Sequence, residues 1–197
     1  MNARKYLILI AVVLLALTLA ACGGSTDSGN ASSSGSINLS QTFSADDSAI
    51  SFKYPEGWVV TSEFGQVSFA NSQAAKDSTE PTAGAFVGSF LVAPTADITG
   101  LVENPGPADV LNLFKGLMEG ENAPVLGDVS ELKVGSFDAA TVSGSDDTLD
   151  AIIYVVKVAD DAYVVAVGGS IKGEMGNFEP TLKAILETMT YAAPAAG

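Results

Sequence analysis

The sequence predicts an α+β fold, a twisted antiparallel sheet covered by helices. Two observations predict it. Several segments of strand length, either alternating or apolar throughout, are separated by Gly, Pro and Asp turns. Two longer segments each place their apolar residues on one helical face. Each helix must bury its stripe and the central strands need cover on both faces, so a sheet between helices satisfies both. Residues 37–191 suffice for one such domain.

In chain order, Ile50, Phe52 and Tyr54 lie on one face of an alternating strand. Pro55-Glu56-Gly57 turns the chain toward Trp58 and a strand over 59–61. Val67 and Phe69 mark another short strand, and the polar stretch 71–81 is a loop with one helical turn over 74–77. Ala85 to Ala93 is apolar on both faces, as in the middle of a covered sheet. Pro107 opens a helix, because its missing N–H would have no partner there. Val110, Leu111, Phe114, Leu117 and Met118 form that helix's apolar face, and Gly120 stops it.

The second half predicts a meander, with strands over 129–134, 139–143, 152–158 and 162–167. Asp160-Asp161 is its tight turn and Gly168-Gly169 ends the last strand. A final helix over 178–188 carries Phe178, Leu182, Ile185, Leu186 and Met189 on one stripe. Glu179 and Lys183 form an outward i, i+4 pair.

Arg4 and Lys5, an apolar run from Tyr6 to Leu17, and small residues before Cys22 have the anatomy of a secretory signal peptide. The run is shorter than the ~20 residues a spanning helix needs, which disfavours an uncleaved anchor. Leu19-Ala20-Ala21-Cys22 resembles a bacterial lipobox. The resemblance implies cleavage after residue 21, diacylglycerol on the Cys22 thiol, and a bacterial cell-membrane or outer-membrane location facing outside the cytoplasm. The Gly/Ser-rich stretch 23–36 then acts as a flexible tether about 20 Å long on average. Residues 192–197 form a disordered tail.

The chain carries a formal net charge of −14 and no histidine. Removing residues 1–21 takes away its one arginine and leaves seven scattered lysines. That disfavours nucleic acid, whose phosphates need a basic face. With Cys22 lipidated no thiol remains for a disulfide, a nucleophile or a zinc–cysteine site.

Phe52-Lys-Tyr-Pro-Glu-Gly-Trp58 resembles the F-x-Y-P-x-G-W signature of PsbP-like domains. The ending from Phe178 to Tyr191 is similar to that group's closing helix and strand. The resemblance implies a PsbP-like α/β/α sandwich in which Pro55 and Gly57 shape a turn and Trp58 fills core. PsbP itself is a photosystem II subunit, while other relatives bind Ran or are bacterial lipoproteins. No metal-ligand histidine can be carried over.

Ser-His-Asp chemistry is excluded without histidine, and no serine sits in a G-x-S-x-G elbow. Asp146, Asp147 and Asp150 cluster as calcium ligands could, but lack the EF-hand spacing, and a hairpin turn explains them better. Gly168-Gly169-Ser170 lacks the pattern of a phosphate loop. The sequence thus predicts a non-catalytic membrane-anchored lipoprotein, an accessory or partner-binding module. No cofactor and no metal site are expected. The alternative is a lipoprotein that binds a small molecule or metal ion.

Overall fold

The computed structural model describes residues 37–45, 48–63, 65–98, 103–118 and 124–192. The expected signal peptide, Cys22, the tether, Gly120 and residues 193–197 of the tail lie outside these. The large sheet is built from two meanders. The first is β3 (Val59–Glu63), β4 (Gln66–Ala70) and β5 (Phe86–Pro94). The second is β7 (Ser130–Val134), β8 (Phe137–Ser145), β9 (Leu149–Ala159) and β10 (Ala162–Ile171). They join where β10 pairs antiparallel with β5. Short β6 (Val125–Leu126) continues the edge of β8 beyond β7. The predicted antiparallel α+β architecture is the one observed.

A second sheet has three strands, with β2 (Ile50–Tyr54) between β1 (Gln41–Phe43) and β11 (Thr190–Tyr191). The Pro55-Glu56-Gly57 turn therefore carries the chain from one sheet to the other and closes no hairpin. Gly57 has φ +86°, and the Trp58 N–H donates to the Pro55 carbonyl at 3.4 Å. A side chain at that φ would be strained, so glycine is required there. Trp58 is half-buried and stacks on Phe69, with ring centroids 6.2 Å apart. The Ala192 N–H donates to the Ala49 carbonyl and extends the β2–β11 ladder.

The alternation of β9 and β10 assigns the two faces of the large sheet. Ile152, Tyr154, Val156, Val164 and Ala166 point into a core closed by the small sheet and by α3 (Met175–Glu187). Leu182, Ile185, Leu186 and the following Met189 are buried there as the stripe predicts. Phe178 is half-buried and stacks on Phe86 at 5.2 Å. The helix starts three residues earlier than its periodicity suggests, because Met175 adds a further buried contact.

Ile153, Val155, Tyr163 and Val165 face α2 (Pro107–Met118), which buries Val110, Leu111 and Phe114. Leu117 is 51 % exposed, although the helical pattern places it on the buried face. Lys115 in this last turn reaches the Gly127 carbonyl just after β6, where the sheet has narrowed to a two-residue strand. The helical turn expected in the polar loop is α1 (Gln73–Asp77), capped by the Ser72 hydroxyl accepting from the Ala75 N–H.

One strand runs further than the sequence suggests. β10 continues through Gly168 and Gly169 to Ile171. Gly168 lies directly opposite Gly88 of β5, and the rings of Phe69 and Phe86 lie against this pair. A Cβ on Gly88 would be 2.4 Å from Phe69 Cζ and from the Val167 carbonyl oxygen, and one on Gly168 would be 2.6 Å from Phe86 Cζ. These glycines make room for rings within a strand.

Candidate functional site

An open groove of about 560 Å³ lies beside α2 among charged side chains. One wall is the Asn104–Pro107 segment leading into α2, and the other is built by β7, β8 and β9. Antiparallel register sets its floor. Lys133 of β7 faces Asp138 of β8, and the β8–β9 register, continued by one residue, sets Asp138 opposite Lys157. Lys157 in turn faces Tyr163 of β10. All four lie on the α2 side of the sheet, so a Lys–Asp–Lys row crosses three strands next to a buried phenol.

The Lys133 ammonium contacts Asp138 Oδ1 at 2.7 Å, the one ion pair among the described residues. This hydrogen bond, with Lys157 as a weaker second charge, holds the Asp138 carboxyl below its ordinary value. Lys157 is half-buried, and its ammonium has no hydrogen-bond acceptor among the described residues. The opposite wall is fixed by two hydrogen bonds and one left-handed residue. The buried Tyr163 hydroxyl donates to the Pro105 carbonyl. The Asp109 carboxylate accepts from the Gly106 N–H at 2.8 Å. Asn104 adopts φ +52°, the left-handed region that short polar residues tolerate. Burial first, and the Asp109 charge second, raise the Tyr163 phenol above its ordinary value.

The acidic cluster singled out by its sequence lies elsewhere, at the β8–β9 hairpin. Asp146 Oδ1 accepts from the N–H groups of Thr148 and Leu149 at 2.7 and 2.8 Å and from the Thr148 hydroxyl at 3.0 Å. Asp150 Oδ2 accepts from the Gly173 N–H at 2.7 Å, and Lys172 donates to the Asp146 carbonyl oxygen. Partial burial alone would raise the Asp146 carboxyl, but these donors outweigh it and hold it below its ordinary value. Asp147 is exposed. The cluster is therefore a braced turn with its carboxylates aimed at backbone N–H groups. Among the described residues no three His, Cys, Asp or Glu side chains come together to hold a metal ion.

Glu179 does not form the predicted pair with Lys183. Its Oε1 accepts the Tyr154 hydroxyl at 2.9 Å, because that phenol is buried under α3 and needs a partner. Burial, then the bond to Glu179 and its charge, push the phenol well above its ordinary value. Among the described residues no helix is long and apolar enough to cross a membrane. Cys22, the predicted lipidation site, lies outside them.

No family model matches the chain, and no curated protein matches it by sequence. Solved structures do resemble it. One is a Bacteroides thetaiotaomicron protein, 12 % identical, with a TM-score of 0.51 over 81 % of this chain. The chain spans about half of that protein, 51 % of its length. Another is the Saccharomyces cerevisiae Ran-binding protein Mog1p, 11 % identical, TM-score 0.51, covering 79 % of this chain and 96 % of Mog1p. LpqN, involved in cell envelope biogenesis of Mycobacterium tuberculosis, is 18 % identical with a TM-score of 0.43, over 73 % of this chain and 83 % of LpqN. At these identities the first two likenesses concern the fold alone. Mog1p has the PsbP-like arrangement, so the fold implied by the Phe52–Trp58 motif is the fold found.

Proposed function

We propose that this protein is a lipid-anchored extracytoplasmic lipoprotein whose folded part is a non-catalytic accessory module that binds a partner at the membrane surface. The observation that carries the reading is Leu19-Ala-Ala-Cys22, closing a charged-then-apolar N-terminus and followed at once by a Gly/Ser-rich tether. The uses found for the polar side chains support the absence of catalysis. Tyr154 and Glu179 satisfy each other, Tyr163 anchors a loop, and Asp146 and Asp150 brace a hairpin. A small-molecule reading is favoured by one observation, the groove beside α2.

The anchor is tested with Cys22→Ser expressed in a bacterial host. Lipid attachment predicts that the variant leaves the membrane fraction and no longer incorporates a clickable fatty acid. A variant still firmly in the membrane would remove the lipid-anchor reading. The partner is tested by crosslinking the lipidated protein in its native membranes and identifying what co-purifies. One stoichiometric membrane protein is the expected result, and a protein recovered without any companion overturns the accessory role.

A further inference from the structure

We propose that the groove between the Asn104–Pro107 wall and β7–β8–β9 binds a small ligand through an anionic group, a carboxylate or phosphate, with Lys157 as its cationic anchor. This goes beyond the accessory-module reading, since it concerns the purified protein alone and holds or fails whether or not a protein partner exists.

Charge, commitment and shape point the same way. The Lys133–Asp138–Lys157 row holds two cations around one anion, and that anion is hydrogen-bonded to Lys133. With Glu131, which lines the same groove, the two cations and two anions balance, and Lys157 is the cation left without a hydrogen-bonded acceptor among the described residues. Lys157 and Asn104, whose side-chain amide also has no hydrogen bond among the described residues, line the same groove. Elsewhere the chain is strongly acidic, with a net charge of −14, so an anion is repelled from most of the surface. A cationic spot within that field selects for an anionic group of limited size. Glu131, on edge strand β7, bounds the spot on the far side and disfavours a second negative charge there.

Shape limits the ligand further. About 560 Å³ is ordinary for a small-molecule site. Lys133 and Lys157 stand two strand spacings apart, about 10 Å along the sheet. A ligand of monosaccharide size reaches Lys157 without breaking the Lys133–Asp138 pair. The wall is set in advance by the Tyr163–Pro105 and Asp109–Gly106 hydrogen bonds, so little ordering is left to occur on binding. A carboxylated sugar and a free or esterified phosphate share the chemistry that Lys157 recognises.

The test uses the lipidated full chain in phosphatidylcholine nanodiscs with three probes: inorganic phosphate, glucuronate and glucose. Phosphate is followed by ³¹P line broadening, and the sugars by saturation-transfer NMR. At least one anion is expected to bind while glucose does not, and which anion binds identifies the source. Lys157→Gln should weaken binding roughly tenfold or more, as for loss of a hydrogen bond to a charged group. Asp138→Asn, which frees Lys133, should tighten it by up to about fivefold, the scale of an exposed ion pair. Lys172→Gln, at the β8–β9 hairpin, should leave it unchanged. Binding of neither anion, equal binding of glucose, or Lys157→Gln binding like the parent overturns the proposal.

Discussion

The two faces of the large sheet are closed by different means. Toward α3 the core is aromatic. Phe52, Phe69, Phe86 and Phe90 meet in tilted and edge-on contacts, with Phe69 and Phe90 only 4.5 Å apart. Helix and small sheet together cover that face from Phe43 to Met189. Toward α2 the core is built mostly of Ala, Val, Leu and Ile around Tyr163 and Phe114, under one twelve-residue helix. Cover runs out over β7, β8 and β9, where the same face carries Lys133, Asp138 and Lys157. The face sealed by rings is covered by both a helix and a second sheet. The face sealed by one helix keeps a polar margin, and that is where a ligand can bind.

If that contrast is right, one added methyl group should act very differently on the two faces. Gly88 lies under the aromatic core, and its missing Cβ would collide with a ring and with a backbone carbonyl oxygen at 2.4 Å. The ring is packed and the carbonyl belongs to a paired strand, so neither can yield cheaply. Gly88→Ala should cost about 3 kcal/mol or more, the upper range for overpacking. Gly169 lies on the α2 face, where the nearest atom to an added Cβ is the Asp150 carbonyl oxygen at 3.8 Å. Gly169→Ala should fall within about 0.5 kcal/mol of the parent. Urea unfolding followed by Trp58, the chain's one tryptophan, reads both. Similar losses in the two variants would dissolve the distinction between the faces.

These glycines also show what a sequence conceals. Gly168-Gly169 reads as a stop because glycine weakens strands, and only the opposing Gly88 and the rings of Phe69 and Phe86 reveal why it is kept. The long apolar strands and the stripe on α3 were legible because each signal repeats within one segment, and the start of α2 because proline lacks the N–H that a first turn leaves unpaired. β1, β6 and β11 have two or three residues each, too few for a period to register. That β2 and β3 lie in different sheets is invisible, because a turn looks the same whether or not its strands pair. The groove was illegible for a related reason. Asn104, Lys133, Asp138 and Lys157 belong to four segments that only register and α2 bring together. Exposed charges on alternating strands look like ordinary solvated residues until they share a row.

A second contrast sets the two buried phenols against each other. Tyr154 is tied to a carboxylate under α3, while Tyr163 is tied to a backbone carbonyl under the loop before α2. Tyr154→Phe should cost about 1–2 kcal/mol, the loss of a hydrogen bond to a charged acceptor that is itself half-buried. Tyr163→Phe should instead loosen the groove wall and weaken anion binding. Both phenols are raised in the folded state. The unfolded chain releases their protons above the ordinary 10.0, while the folded chain still holds them. Their contribution is therefore complete below pH 10 and falls as pH rises above it. Tyr154→Phe should flatten that alkaline decline more than Tyr163→Phe, because Tyr154 donates a hydrogen bond to its carboxylate, Glu179, whereas Asp109 acts on Tyr163 by charge alone. Equal slopes in a pH series of urea midpoints would contradict this.

The smallest expected effect separates neighbours within one turn. Asp146 and Asp147 are adjacent and carry the same charge, yet one accepts three hydrogen bonds and the other is exposed. Asp146 is only partly buried, so screening still reduces the value of its contacts. Asp146→Ala should cost about 0.5–1 kcal/mol, and Asp147→Ala nothing measurable. The pH dependence has the opposite sign to that of the phenols. Asp146 is depressed in the folded state, so its contribution is present above 3.8 and disappears as pH falls through the lower folded value. The difference between the two variants should thus be clear at neutral pH and vanish in strong acid. Calcium sharpens the same comparison. A hairpin whose Asp146 oxygen is already occupied by two N–H groups and a hydroxyl should show no rise in midpoint when calcium is added. A rise abolished by both Asp146→Ala and Asp147→Ala would mean that the cluster holds a cation and that its hydrogen bonds give way to it.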